Sequence, residues 1–141
     1  MKNYELIEHT ADIGIKVSGK DLEGLFKNAG LAMFDIMAEE KQRTENRGQR
    51  TEEIMIKQKA EDLEELFVNW LNELLSLSAT KELIFSDFKI NKLDENSLQA
   101  VAVGDSIENY RVNAEIKAAT YHQLKIEEAK SGWQAEVIFD V

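Results

Sequence analysis

Residues 21–37, DLEGLFKNAGLAMFDIM, decide the fold class of this chain. Leu22, Leu25, Phe26, Ala29, Met33, Ile36 and Met37 recur at three-and-four spacing, which gathers them on one face of a helix, and Asp21 stands where a side-chain oxygen caps the first turn. Residues 62–75 repeat the pattern with Leu63, Leu66, Phe67, Trp70, Leu71, Leu74 and Leu75, opened by Asp62 with Glu65 in capping-box position. The hexamers DLEGLF (21–26) and DLEELF (62–67) each follow a short β-like segment. Two copies of six residues are explained more simply by one capping logic used twice than by internal duplication.

Outward from the helices the period changes to two. Tyr4, Leu6, Ile13, Ile15 and Val17 alternate with a polar break between the halves, which predicts two short strands joined by a tight turn at HTAD (9–12). Ile54 and Ile56 predict a third short strand ahead of the second helix, and the polar stretch between, EEKQRTENRGQRTEE (39–53), predicts a solvated loop carrying Arg43, Arg47 and Arg50. Beyond Ala79 come ELIFSDFKI, SLQAVAVGD, a run through AEIKAATYHQLKIEE, and WQAEVIFDV, with Lys130, Ser131 and Gly132 as a hairpin turn before the last. Two helices among about seven mostly consecutive, hence antiparallel, strands predict an α+β fold in which both helices cover one sheet face. The expected organisation is a single domain over 1–141.

Composition narrows the chemistry. The 141 residues carry 17 Lys and Arg against 27 Asp and Glu, a formal net charge of −10. Such a balance disfavours the counterion-release binding that dominates nucleic-acid affinity, so no stable nucleic-acid complex is expected. A chain this long buries roughly 68–70% of its unfolded surface and needs no metal merely to fold. With no cysteine, disulfides, thiolate nucleophiles and cysteine metal sites are excluded. The start has no signal-peptide core and no apolar run has membrane-spanning length, so a cytoplasmic protein without a membrane partner is expected. A glycine-rich phosphate loop, HExxH, GxSxG and a DxDxDG loop are all missing from the sequence.

What remains is polar residues at strand ends. In the first turn Thr10 and Asp12 suit backbone-bonding turn positions, with His9 partly exposed beside them. At the other end the sequence closes on Phe139, Asp140 and Val141 directly after an apolar strand, with Asp140 facing opposite to Phe139 and Val141. Should the first turn lie nearby, Asp12, Asp140 and the terminal carboxylate form an oxygen cluster suited to a hard cation such as Ca²⁺, Mg²⁺ or Mn²⁺. A frayed acidic end is the alternative. Along 115–122 a strand would put Lys117 and Ala119 on one side and Ile116, Ala118 and Thr120 on the other. A solvated face accounts for Lys117 as well as a functional role would.

Taken together, EHTADIGIKVSG, DLEGLFKNAGLAMFDIM, IKAATYHQ and the closing VIFDV resemble the archease family, in order and over essentially the whole chain. Glu8 stands where the family usually has Asp before HTAD, and the arginine-bearing loop inherits nothing from the resemblance. The resemblance implies a protein cofactor, not itself an enzyme, of the RtcB-type tRNA-splicing RNA ligase. That ligase uses GTP and divalent metal to join RNA ends bearing a 2′,3′-cyclic phosphate or 3′-phosphate to a 5′-hydroxyl, in tRNA splicing or RNA repair. The cofactor would promote guanylylation of the ligase's active-site histidine, permit multiple turnover and broaden the nucleotide triphosphates accepted. Carried over by position, the implied metal ligands are Asp12, Asp140 and Val141, with calcium as the first expectation and magnesium or manganese as alternatives. The lysine of the KA-x-TY motif falls on Lys117, which with His9 would form the activating surface.

Two other classes fit the same residues. One is a chaperone-like modulator of RNA-processing or methylating enzymes. The other is a metal-dependent hydrolase built from His9, Asp12 and Asp140, for which the ligand set is thin.

Overall fold

The computed structural model describes residues 2–7, 12–41 and 51–141. Strands β1 (Tyr4–Ile7) and β2 (Ile13–Gly19) form the first antiparallel pair, followed by α1 (Leu22–Met37), β3 (Ala38–Glu40), β4 (Thr51–Lys59) and α2 (Leu63–Lys81). Then come β5 (Leu83–Leu93), β6 (Ser97–Ser106), a 3₁₀ turn at Ile107–Asn109, β7 (Tyr110–Val112), β8 (Ala118–Ala119), β9 (Lys125–Ala129) and β10 (Gly132–Asp140). The architecture is α+β with antiparallel pairing throughout, as the sequence predicts.

Both helices start where their caps say. The Asp21 carboxylate accepts from the Gly24 N–H at 2.7 Å and that of Asp62 from the Glu65 N–H at 2.8 Å. Each thereby satisfies a donor that the first turn leaves unpaired. Glu65 reaches back to the N–H of Glu61, one residue ahead of the cap, at 3.2 Å. α2 runs six residues beyond the heptad-like stripe and stops at Glu82, which takes the left-handed conformation (φ 55°).

The strands of the described residues form three sheets. One has the order β1-β2-β10-β8, with β9 also on β10; a second has the order β4-β6-β5; β3 and β7 pair by themselves. The helices contact both larger sheets: α1 touches β2 and β5, and α2 touches β4, β5 and β8. Between them the core is aromatic. Phe26 meets Phe67 edge-on at 5.1 Å, Trp70 meets Phe88 at 5.3 Å, and the Trp70 indole N–H donates to the Phe26 carbonyl at 2.9 Å. The helices approach closely at Gly30, where a Cβ would lie 2.8 Å from the Phe88 ring and 3.2 Å from Leu74.

Two expectations change in detail. The polar stretch 39–53 is not all loop: β3 takes its first two residues and β4 its last three, paired through the backbone with side chains exposed, so no apolar alternation marks them. Arg43, Arg47 and Arg50 lie outside the described residues, as do His9, Thr10 and Ala11 of the first turn. The run 114–128 is two strands on one edge of β10. Thr120 interrupts it by giving both its N–H (3.1 Å) and its hydroxyl (2.8 Å) to the Ile138 carbonyl, and Tyr121 to Leu124 then close a turn in which Gln123 is left-handed (φ 53°). Among the described residues no helix is long and apolar enough to cross a membrane.

Candidate functional site

Of the polar residues singled out from the sequence, Lys117, Asp140 and Val141 stand at the carboxyl end of β10, while His9 and Thr10 lie outside the described residues. β2 and β10 are registered from Gly19 opposite Trp133 to Ile13 opposite Phe139. β2 begins at Ile13, so Asp12 directly precedes the residue paired with Phe139 and stands at the same end of the sheet as Asp140. On the other side of β10, Asp140 pairs with Ala118 and its carbonyl accepts the Lys117 N–H at 2.8 Å. Lys117, Asp140 and Val141 are exposed, Val141 to 40%, while Phe139 one step back is fully buried. The last core residue and the first solvated one are thus adjacent in the chain, which fixes the tip firmly while leaving its oxygens accessible.

Chemically the donor set is oxygen only. Asp12 and Asp140 bring carboxylate oxygens to the same end of the sheet, the donor type that a hard divalent cation takes. Among the described residues no cluster of three or more His, Asp or Glu side chains is placed to hold a metal. The set drawn from the family resemblance has two side chains, Asp12 and Asp140, and takes its remaining oxygens from Val141. That composition fits calcium, magnesium or manganese and does not suit a softer metal.

The expected strand alternation around Lys117 does not hold. Ile116 and Ala119, three residues apart, are both buried, at 4% exposure each, which a regular strand cannot arrange. Only Ala118 and Ala119 are strand; residues 113–117 are irregular, which lets Ile116 reach the core while the lysine stays exposed. One contributor to this corner has no sequence motif. The Asn72 carboxamide on α2 accepts from the Ala119 N–H at 2.7 Å and donates to the Ala119 carbonyl at 3.2 Å. The available signal was a poor helix former in the middle of a helix. Tyr121 extends the same edge; burial first, then the nearby Glu65 and Asp62 carboxylates, push its phenol above its ordinary pKa.

A groove of 650 Å³ opens elsewhere, lined among others by Tyr4, Asn28, Asp35, Tyr110 and Asn113 and by none of the tip residues. Within it the Tyr4 hydroxyl donates to Asp35 at 2.6 Å and Lys2 lies 3.2 Å from the same oxygen. The Tyr4 hydrogen bond, aided by Lys2, holds the Asp35 carboxyl below its ordinary range. These groups satisfy one another and tie β1 to α1.

The residues build an α+β fold whose central strand β10 ends on an exposed Asp140, and the comparisons agree with that fold. The model of the Archease protein family (MTH1598/TM1083) matches residues 4–141, and the chain belongs to that family. Protein archease of Methanosarcina barkeri is 38% identical, over 99% of this chain and 97% of its own. That of Pyrococcus abyssi is 37% identical over the full length of both. The solution structure of Methanobacterium thermoautotrophicum protein 1598 superposes with a TM-score of 0.75 at 34% identity, covering both chains completely. A crystal structure from Thermotoga maritima, described as an archease and possible chaperone, gives a TM-score of 0.66 at 28% identity over 96% of this chain and 94% of that one.

Proposed function

We propose that this protein activates an RtcB-type tRNA-splicing RNA ligase, promoting guanylylation of its active-site histidine and multiple turnover, and broadening the nucleotide triphosphates it accepts. What supports this reading is that the backbone of Lys117 is bonded to that of exposed Asp140, next to Val141, at the end of the sheet where Asp12 precedes the β2 residue paired with Phe139. Asp12 and Asp140, with Val141 oxygens, would hold a divalent cation, which when bound neutralises charge at the tip. Lys117 contributes a flexible point charge beside them, suited to a triphosphate oxygen or to a carboxylate of the ligase. His9 would complete the contacting surface. On this reading the protein works in the cytoplasm, on an enzyme rather than as one, and holds no RNA of its own, in keeping with its net charge of −10.

The test is labelling of limiting cognate ligase with radioactive GTP, with and without this protein and its Asp12→Ala, Asp140→Ala and Lys117→Ala variants. Faster labelling with the wild type, and loss of that gain in folded variants, is the expected result. No gain from the wild type with a competent ligase overturns the reading. The Thermotoga maritima relative is described as a possible chaperone, which favours a second reading, a chaperone-like modulator. It predicts protection of unrelated clients that survives loss of Asp12 and Asp140.

A further inference from the structure

We infer that Asn72 is a positioning residue for the tip, setting through the β8 backbone where Lys117 stands against Asp140; this rests on the function proposed above. β8 is two residues long and has β10 on one side only. Its pairing to β10 runs through the neighbours of Ala119: the Lys117 N–H goes to the Asp140 carbonyl at 2.8 Å and the Thr120 N–H to the Ile138 carbonyl at 3.1 Å. The N–H and carbonyl of Ala119 therefore face the open edge, where the next strand would be. In place of that strand stands a side chain from α2. A carboxamide is the one neutral side-chain group that offers a donor and an acceptor side by side, so Asn72 answers both groups at 2.7 and 3.2 Å, as a paired strand would.

The position has no helical reason to be Asn. It is mid-helix, half-buried, and the residue is a weaker helix former than Leu, Glu or Lys. Its partner Ala119 is two residues from Lys117, with Ile116 buried on the far side of the lysine. The Lys117 N–H is bonded to Asp140, and the chain on either side of the lysine is fixed by the Ile116 side chain and the Asn72 clamp. Releasing the clamp loosens the outer edge of β8 beside the lysine while its inner bonds to β10 remain. Asp at this position keeps the shape and the acceptor but points a carboxylate oxygen at the Ala119 carbonyl, whereas Gln keeps the amide on a longer stem.

The experiment combines amide hydrogen exchange on the isolated protein with the ligase-labelling assay, for Asn72→Ala, Asn72→Asp and Asn72→Gln, each alone and with Lys117→Ala. Exchange at Ala119 is expected to rise about tenfold in Asn72→Ala and Asn72→Asp, with the Leu74 amide as an unchanged internal reference, and to recover in part in Asn72→Gln. The gain in labelling is expected to fall in the same order, and Asn72→Asp is expected to cost nothing further once Lys117 is Ala. A general loss of structure would raise exchange throughout α2, so faster exchange at Leu74 in Asn72→Asp overturns the inference. So does unchanged Ala119 exchange, or a full labelling gain in Asn72→Asp while Lys117→Ala has lost it. Absence of any wild-type gain overturns the functional reading and this role together, and is distinguished from failure of the clamp because exchange is read without ligase.

Discussion

Gly19 and Gly14 lie on the same strand and should respond to alanine with opposite signs. Gly19 ends β2 two residues before the cap of α1, and a Cβ built there lies 2.2 Å from the Leu25 nitrogen, 2.5 Å from the Gly24 carbonyl carbon and 2.8 Å from the Leu25 Cα. All three are main-chain atoms of the first helical turn, so no rotamer change relieves the clash. Overpacking costs about 1–3 kcal/mol, and a purely backbone clash belongs at the upper end. Against this, alanine reduces the freedom of the unfolded chain by about 0.4–1 kcal/mol. The net expectation for Gly19→Ala is a loss of about 2–3 kcal/mol, or a fall in Tm of about 6–12 °C for a chain of this size. At Gly14 the nearest atoms are Ile7 Cβ and Ile7 O at 3.4 Å and Ile138 Cγ1 at 3.7 Å, ordinary contacts. Gly14→Ala should then be neutral or raise stability by about 0.5 kcal/mol, through the entropy term alone. Thermal and urea unfolding followed by far-ultraviolet circular dichroism read both. A Gly19→Ala protein within about 2 °C of wild type, on the slope used above, refutes the packing argument. An equal loss at Gly14 refutes it as well.

Three further expectations use the same unfolding assays. Trp70→Phe removes the indole donor to the Phe26 carbonyl and leaves a gap beside Phe88; the cost should be about 2–4 kcal/mol in urea, and less than 1 kcal/mol would mean the contact is not made. Asp62→Ala removes the cap on the Glu65 N–H and should cost about 1 kcal/mol, with fraying of the first α2 turn visible by exchange. The Asp35 carboxyl is held below its ordinary value of 3.8 by the Tyr4 hydroxyl, so its contribution is complete above that value and is lost as pH falls through the lower folded-state value. Asp35→Asn should therefore flatten the acid limb of the stability profile below about pH 4 and leave its neutral region parallel to wild type; an unchanged acid limb would count against the Tyr4–Asp35–Lys2 cluster.

Much of this fold is legible in the sequence because its larger elements bury one face. The stripe from Leu25 to Met33 and that from Leu66 to Leu75 can be satisfied only by a helix on a core, and both aspartate caps sit where they must. β5, β6 and β10 alternate or run apolar for the same reason. β3 and β7 do not announce themselves, since they are three-residue strands whose exposed Glu39, Glu40 and Arg111 show no apolar alternation, their backbone pairing being joined by an exposed Arg111–Glu39 ion pair. The split between β8 and β9 depends on the Thr120 hydroxyl taking the Ile138 carbonyl, a bond between residues 18 apart that no local pattern encodes. Of the tip, Asp12, Lys117, Asp140 and Val141 could be named from residue type and family resemblance, yet their place at one end of the sheet is a property of the register of β2 and β8 on β10. Asn72 shows in the sequence only as a poor helix former in mid-helix, because the sheet edge it completes exists only once the chain has folded.

The most direct measurement is the number of RNA ends joined per ligase molecule when ligase is limiting, with GTP and a 2′,3′-cyclic-phosphate substrate in excess. With this protein present the account predicts continued joining over many cycles. With Asp140→Ala or Lys117→Ala in its place, joining should stall near the level of ligase alone. Equal turnover with wild type and with both folded variants, or with no added protein, would contradict it.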